Sequence, residues 1–226
     1  MKNAFSNLSA IILLSLSMTS CIKEKLPSLE TLGILGITTN SATSGGYITS
    51  DGGKDVVSRG IIWNDKQAPS LQIHTGLTMD GANIGVFTSD LTNLSPGTVY
   101  YVRAYATNSV GTAYGNEVAF STNEVVKATI TTASISSITT NTATSGGFIV
   151  NDGGETVTEK GVCWNTSANP TTASFRTTNG FGNENFTSIL LNLHPSTTYY
   201  IRAYATNSAG TAYGNELSFL TASSAP

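Results

Sequence analysis

The chain has 226 residues, of which only 11% are charged, and its net charge is −3. This balance argues against a nucleic-acid-binding protein, because such proteins carry a basic surface that attracts phosphate. The hydrophobic content of 39% is ordinary for a folded chain and excludes a fully disordered one. The length suits one large domain or two of about 100 residues. The abundance of Thr, Ser, Asn and Gly predicts β-strands joined by tight turns.

Residues 1–20 have the pattern of a signal peptide, with a positive charge at Lys2 and an apolar run over 10–16. The run is too short to cross a bilayer as a helix, which takes about 20 residues. The segment Met-Thr-Ser-Cys that ends at Cys21 resembles the lipobox of bacterial lipoproteins. That resemblance implies cleavage before Cys21 and lipid on its sulfur; a plain secretory signal with an incidental cysteine is the alternative. Residues 21–31 are predicted to form a tether.

The rest of the chain consists of one sequence unit that occurs twice. Residues 37–46 return at 138–147, and 98–122 return at 197–221 with 19 of 25 positions identical. A unit of this length is long enough to fold as its own β-sandwich. We therefore expect domains at 32–122 and 127–221, a linker at 123–126 and a tail at 222–226.

Period-two alternation between turn residues predicts seven short strands in each unit. Such a series, with turns every 8–12 residues or so, is typical of an antiparallel β-sandwich. The predicted fold class is therefore all-β, with two tandem immunoglobulin-like sandwiches. In the first unit the predicted strands are 31–38, 42–50, 55–64, 71–75, 84–91, 98–107 and 112–121.

The segment from 94 to 106 gives the clearest core prediction. Alternation places Tyr100, Val102 and Ala104 on the inner face of a strand, and Leu94 is expected to close the end of the sandwich. Tyr100 begins the strand, where its hydroxyl can bond to backbone just upstream, the arrangement known as a tyrosine corner. Leu193 and Tyr199 repeat the pattern in the second unit.

The same segment carries a family resemblance. Leu-x-Pro-x-Thr-x-Tyr-x-Val-x-Ala-x-Ala followed by Thr-Asn-Ser-x-Gly resembles the penultimate strand and turn of fibronectin type III domains. The whole unit resembles the fibronectin type III-like repeats of surface lipoproteins in Bacteroidetes-type bacteria. The resemblance implies that Trp63 and Trp164 fill the cores, although each stands one strand later than usual. The Arg-Gly-Asp tripeptide is absent, so integrin-type binding is not supported.

The outward side of the same strand is the candidate binding face. Tyrosine and arginine are favoured at interfaces because they bury area and still form hydrogen bonds. The alternative is cross-strand pairing on a solvated sheet face, where aromatic residues also stabilise strands. The candidate residues are Tyr101, Arg103, Tyr105, Tyr200, Arg202 and Tyr204.

No motif predicts catalysis, a metal or a cofactor. His74 and His194 have no carboxylate or cysteine at ligand spacing. The Asp-Gly-Gly segments at 51–53 and 152–154 are interpreted as hairpin turns, because calcium needs six or more oxygen ligands. Cys163 takes the position that Ile62 has in the first unit, which favours a packing role over a reactive one. The resemblance places the neighbouring Trp164 inward, so the thiol is expected on the outer sheet face, where its exposure stays open.

These features predict a non-catalytic lipoprotein of the cell envelope, anchored by lipid to the outer membrane and either surface-exposed or periplasmic. Its two modules would act as a spacer or as an arm that binds a protein or glycan. The alternatives are a glycan-binding accessory of a polysaccharide-degrading system and a purely structural stalk.

Overall fold

The computed structural model describes residues 23–224, which form two tandem β-sandwiches built from four antiparallel sheets. The all-β prediction is therefore confirmed. The predicted signal peptide and Cys21 lie outside the described residues. No helix in the described part of the chain is long and apolar enough to cross a membrane.

The strands of the first module are β1 Ser28–Thr31, β2 Ala42–Ser50, β3 Ser58–Asn64, β4 Gly76–Leu77, β5 Gly85–Leu91, β6 Val99–Asn108, β7 Gly111–Tyr114 and β8 Val118–Ser121. A three-stranded sheet, in the order β1-β2-β5, packs against a five-stranded sheet. The larger sheet has the order β4-β3-β6-β7, and β8 pairs with the other half of the long strand β6.

The strands of the second module are β9 Thr129–Thr132, β10 Ala143–Asn151, β11 Glu159–Asn165, β12 Phe175–Arg176, β13 Phe186–Leu190, β14 Thr198–Asn207, β15 Gly210–Tyr213 and β16 Leu217–Leu220. The topology of the first module is repeated, with sheets β13-β10-β9 and β12-β11-β14-β15, and with β16 paired to β14. In both modules the larger sheet has four strands side by side and is wider than the three-stranded sheet, so β4 and β12 are edge strands.

The first strand begins earlier than the sequence predicts, so the expected tether over 21–31 is corrected. β1 covers Ser28–Thr31 and pairs with β2, and Pro27 before it is buried. The hydroxyl of Thr31 accepts the Ala104 N–H at 2.9 Å, which joins the two sheets. Of the strand expected over 31–38, only Thr31, the last residue of β1, and an isolated bridge at Leu35 remain.

The last predicted strand, 112–121, divides into β7 and β8 around Gly115. A Cβ at Gly115 would lie 2.5 Å from the hydroxyl oxygen of Thr31, so β1 approaches this backbone too closely for a side chain. The chain leaves β6 at this point and returns to it further along, which lets one long strand support two short ones.

The predicted core residues lie inside the sandwiches. Trp63 and Leu94 belong to the first core, and Trp164 and Leu193 to the second. The Ser95 N–H donates to the hydroxyl of Tyr100 at 3.0 Å. The matching bond in the second module runs from the His194 N–H to Tyr199 at 3.1 Å. These are the tyrosine corners that the sequence predicts.

The linker is held at both ends. The Asn123 N–H donates to Thr38 O at 2.9 Å on the first module, and the Val126 N–H donates to Gly153 O at 2.9 Å on the second. A direct bond between the modules joins the Thr39 hydroxyl to Gly154 O at 2.7 Å. The joint therefore restricts hinge motion more than a free linker of this length would.

Candidate ligand-binding cleft in the second module

The outward ladder predicted from the sequence is only partly accessible, which corrects the expectation of an exposed face. Tyr105 is 2% exposed and Tyr204 is fully buried. Both lie on the outer sheet face, but the segments after β4 and β12 fold over them. Their hydroxyls donate to Thr78 O and Thr177 O, each at 2.8 Å. Burial raises the pKa of Tyr204 to about 12.

The arginines of the ladder are half-buried and bound to their own module. The Nε atoms of Arg103 and Arg202 donate to the carbonyls of Gly115 and Gly214, each at 2.9 Å. Each guanidinium also lies 4.9 Å from the centre of a tyrosine ring on β7 or β15. These contacts hold the β7 and β15 hairpins, and a ligand would have to displace them. Tyr101 and Tyr200 are half-buried as well.

Other residues that occur in both copies also have structural roles. Asn108 and Asn207 are each 3% exposed. The side-chain amide of Asn207 donates to Val126 O and Asp152 O, both at 2.7 Å, and so ties the module entry to the Asp-Gly-Gly turn. Asn108 makes the matching pair of bonds to Lys25 and Asp51. The motif Thr-Asn-Ser-x-Gly is thereby explained by architecture, so the differences between the modules are more informative about function.

Cys163 is fully buried, which fits the packing role that its correspondence to Ile62 favours. The loop over 166–174 covers this part of the outer face, and the sulfur lies 3.5 Å from Pro170 O. Burial raises the pKa of the thiol to about 11. A reactive role is therefore disfavoured, because the thiolate is the nucleophilic form.

The Asp-Gly-Gly segments form turns. Gly52 and Gly153 have φ values of 74° and 80°, in the region that favours glycine. In residues 23–224 no group of three or more His, Cys, Asp or Glu side chains could hold a metal ion.

A cleft of about 560 Å³ opens in the second module, where the two sheets part. Its walls come from the neighbouring strands β11 and β12 of one sheet, from the edge strand β13 of the other, and from the turn that follows β13. The volume is in the range of about 300–1,000 Å³ typical of ligand sites. The lining residues are Trp164, Asn165, Thr166, Phe175, Arg176, Thr177, Ile189, Leu191, Asn192, His194 and Tyr199.

Phe175 is the most unusual residue of this cleft. It pairs directly with Trp164 across β11 and β12, so both side chains belong to the inner face of the sheet. Their ring centres are 6.1 Å apart at an angle of 23°. Trp164 is buried, whereas Phe175 is 69% exposed, because β12 extends past the edge of the smaller sheet. The ring of Phe175 therefore faces solvent, with the indole of Trp164 behind it.

The first module has glycine at the equivalent position. Gly76 pairs with Trp63, and a Cβ on Gly76 would collide with the indole ring. Trp63 therefore lies across the bare backbone of β4 and closes this end of the sandwich. In the second module the Cβ of Phe175 prevents that arrangement.

Further replacements around the cleft make the second module less polar. The exposed Asp90 and Thr92 of the first module correspond to Ile189 and Leu191, which are 59% and 55% exposed. Ser95 corresponds to His194. The side-chain oxygen of Asn64 accepts the Thr75 hydroxyl at 3.0 Å. Its counterpart Asn165 is half-exposed, and within residues 23–224 its side chain bonds only to the neighbouring Thr166.

Sequence reasoning did not identify this cleft, although it named Trp164, His194 and Tyr199 singly. The signal was present in the differences between the two copies, since apolar residues replace polar ones at exposed positions. Single motifs do not show that β12 and β13 line the same cleft, because the two strands belong to different sheets.

No family model and no curated protein matches the chain. Among solved structures it is similar to the FN1–FN3 domains of chicken CNTN1, with a TM-score of 0.39 and 17% identity over 88% of this chain and 69% of that chain. A second structure, described as "Myokine structure", has a TM-score of 0.33 and 20% identity over 45% of this chain and 99% of that chain. The strand order makes both modules fibronectin type III-like sandwiches. The relationship to bacterial surface lipoproteins stays a prediction.

Proposed function

We propose that the protein is a non-catalytic, lipid-anchored arm of the bacterial cell envelope, in which the first module is a spacer and the second binds a ligand in its cleft. The observation that carries this division is the asymmetry between two otherwise matching modules. Phe175, Ile189 and Leu191 expose apolar surface where the first module has Gly76, Asp90 and Thr92. Contiguous apolar surface that is exposed beside a concave site is typical of ligand-binding grooves.

The spacer role is supported by the way in which the first module begins. The Lys25 N–H donates to Gly52 O at 2.9 Å, so the chain is bound to the first module at this residue. Lys25 is the fourth residue after Cys21, which corresponds to a contour length of at most about 14 Å. A lipid on Cys21 would therefore hold the first module close to the membrane. The linker, which is hydrogen-bonded to both modules, would then place the second module farther from the membrane.

The binding role is tested with a variant that gives the second module the residues of the first. Phe175→Gly, Ile189→Asp, Leu191→Thr and His194→Ser are combined in a protein of residues 23–226. Wild type and variant are compared on arrays of glycans and of displayed random peptides. We expect a ligand that binds to the wild type and to the isolated second module. The same ligand should not bind to the variant or to the isolated first module. A protein that retains nothing above the variant would be a structural stalk.

The anchor is tested by the intact mass of protein extracted from membranes with detergent. We expect loss of residues 1–20 and the added mass of acyl chains, because several chains are needed for stable anchoring. Cys21→Ala should release or stall the protein, whereas Cys163→Ala should leave it in the membrane. A soluble product that is cut elsewhere and bears no lipid would overturn the anchor.

A further inference from the structure

The chemical character of the cleft indicates what kind of ligand it would bind; this step rests on the proposed function. None of its eleven lining residues carries a carboxylate, and its one permanently charged member is Arg176. Arg176 pairs with Cys163, so its side chain belongs to the outer sheet face, away from Trp164. There it donates to Thr172 O at 2.6 Å and lies 3.9 Å from the Glu159 carboxylate. The cleft therefore offers no unpaired full charge from an arginine, lysine or carboxylate.

The apolar part of the cleft is centred on a flat ring. Phe175 is held in the sheet by its pairing with Trp164, and the indole stacks near it with ring centres 6.1 Å apart. A ring fixed in this way loses little conformational freedom when it binds, which favours affinity. One face of a pyranose sugar carries only C–H groups, and such a face stacks on an exposed aromatic ring.

The polar part of the cleft suits hydroxyl groups. The side chains of Asn165 and Asn192 each hold two N–H donors and a carbonyl acceptor. The Asn165 oxygen accepts the Thr166 N–H at 2.8 Å, which leaves its amino group as a donor toward solvent. Asn192 makes no side-chain hydrogen bond within the described residues, and Thr166 and His194 also belong to the lining. Groups that donate and accept at once match the paired donor and acceptor character of neighbouring sugar hydroxyls.

An added peptide strand fits this place less well. The edge strand β12 has two residues, too few for a ladder of backbone bonds. On β13 the carbonyl of Thr187 already accepts the side-chain amide of Asn179 at 2.8 Å. Strand addition needs free backbone groups along an edge, and this bond removes one at the second residue of β13.

We infer that the cleft binds a neutral glycan, with one sugar ring stacked on Phe175 and its hydroxyls bonded to Asn165 and Asn192. The first module does not bind it, because Gly76 offers no ring and because Asn64 is buried, whereas its counterpart Asn165 is half-exposed. The selectivity is for uncharged sugars, since the cleft has neither a free arginine for a carboxylate nor a carboxylate for an amine.

The test is calorimetric titration of residues 23–226 with neutral gluco-, manno-, galacto- and xylo-oligosaccharides of four to six sugars, and with polygalacturonate fragments as the acidic comparison. We expect at least one neutral series to bind and the acidic fragments to bind at least tenfold more weakly. Phe175→Ala should weaken that binding at least tenfold, and Phe175→Trp should retain it. Phe181→Ala, which removes a ring that is 80% exposed outside the cleft, is the matched control and should bind as the wild type.

Two results would overturn the inference, and they differ in what they say about the proposed function. If no neutral oligosaccharide binds, but a displayed peptide or an acidic glycan binds and is lost in Phe175→Ala, the cleft is a binding site for another ligand class. If no ligand of any class is lost in Phe175→Ala, the cleft is not a binding site and both proposals fail. The circular dichroism spectrum and melting temperature of each variant establish that a loss of binding is not a loss of fold.

Discussion

At the scale of single residues, the stability of each module depends on the end of the sandwich that the tyrosine corner closes. Tyr199 is buried and stacks on Phe219 with ring centres 5.9 Å apart, and Leu193 lies in the same core. The hydroxyl of Tyr199 is the acceptor for the His194 N–H. This bond is partly buried, and an N–H that loses its acceptor there costs free energy unless water replaces the bond.

We predict that Tyr199→Phe lowers the free energy of unfolding by about 0.5–1.5 kcal/mol, the usual net value of one hydrogen bond. Leu193→Ala should lower it by about 2–5 kcal/mol, because it leaves a cavity. Both are measured by urea unfolding of the second module. Tyr200→Phe, at a half-buried neighbour, is the control and should change little. Equal small effects from all three changes would contradict this description of the core.

Cys163 leads to a prediction about chemical access and pH. With a pKa of about 11, the folded thiol is about 0.1% ionised at pH 8. A protein of residues 23–226 contains no other cysteine, so Ellman's reagent should react with none of it while folded and with one equivalent after unfolding in urea. Rapid reaction of the folded protein would show that the loop over 166–174 leaves the sulfur open.

The same shift fixes the direction of a stability change. Burial raises the thiol pKa from 9.0 to about 11, so the unfolded chain loses its proton first. The stabilising contribution is complete below pH 9 and is lost as the pH rises toward 11. Cys163→Ala should remove this dependence from the alkaline limb of the stability profile.

At the scale of elements, the joint between the modules depends on one close contact between two turns. Gly154 has φ +91°, and a Cβ there would lie 2.5 Å from the methyl carbon of Thr39. The neighbouring Gly153 accepts the Val126 N–H. The β1–β2 loop of one module and the Asp-Gly-Gly turn of the next therefore fit together only when this position has no side chain.

Gly154→Ala should both strain the backbone and separate the modules. Gly180→Ala is the matched control, since Gly180 has φ +82° with no atom within 4 Å of its Cβ. The control should cost about 1–2 kcal/mol from the left-handed conformation alone. We expect Gly154→Ala to cost more in urea unfolding and to broaden the small-angle scattering profile. Equal costs with unchanged scattering would show that Thr39 does not set the joint.

At the scale of the whole molecule, each module has its own core, and the second can be tested alone. A fragment of residues 125–226 should melt cooperatively with a β-type circular dichroism spectrum. A fragment that begins at 127 lacks Val126, so Asn207 keeps only the Asp152 carbonyl as an acceptor. We expect it to be less stable by about 1 kcal/mol. Failure of the longer fragment to fold would show that the second module needs contacts with the first module to be stable.

Much of this architecture could be predicted from the sequence, because it follows from local sequence patterns. Period-two alternation identified the long strands, and the repeat identified two units of one fold. The spacing of Leu193 and Tyr199 identified the closed end of the second sandwich. These patterns depend on neighbours within one strand or turn, where side-chain direction follows directly from residue order.

Only the tertiary structure decided what is exposed and what is brought together. Alternation placed Tyr204 and Cys163 on an outer face, but the segments that cover that face come from elsewhere in the chain. The cleft depends on how far β12 extends past β13. These strands belong to different sheets, and no local sequence pattern predicts how close they lie. Phe175 becomes a candidate contact for this reason: the wider sheet leaves its inner-facing ring without a partner across the sandwich.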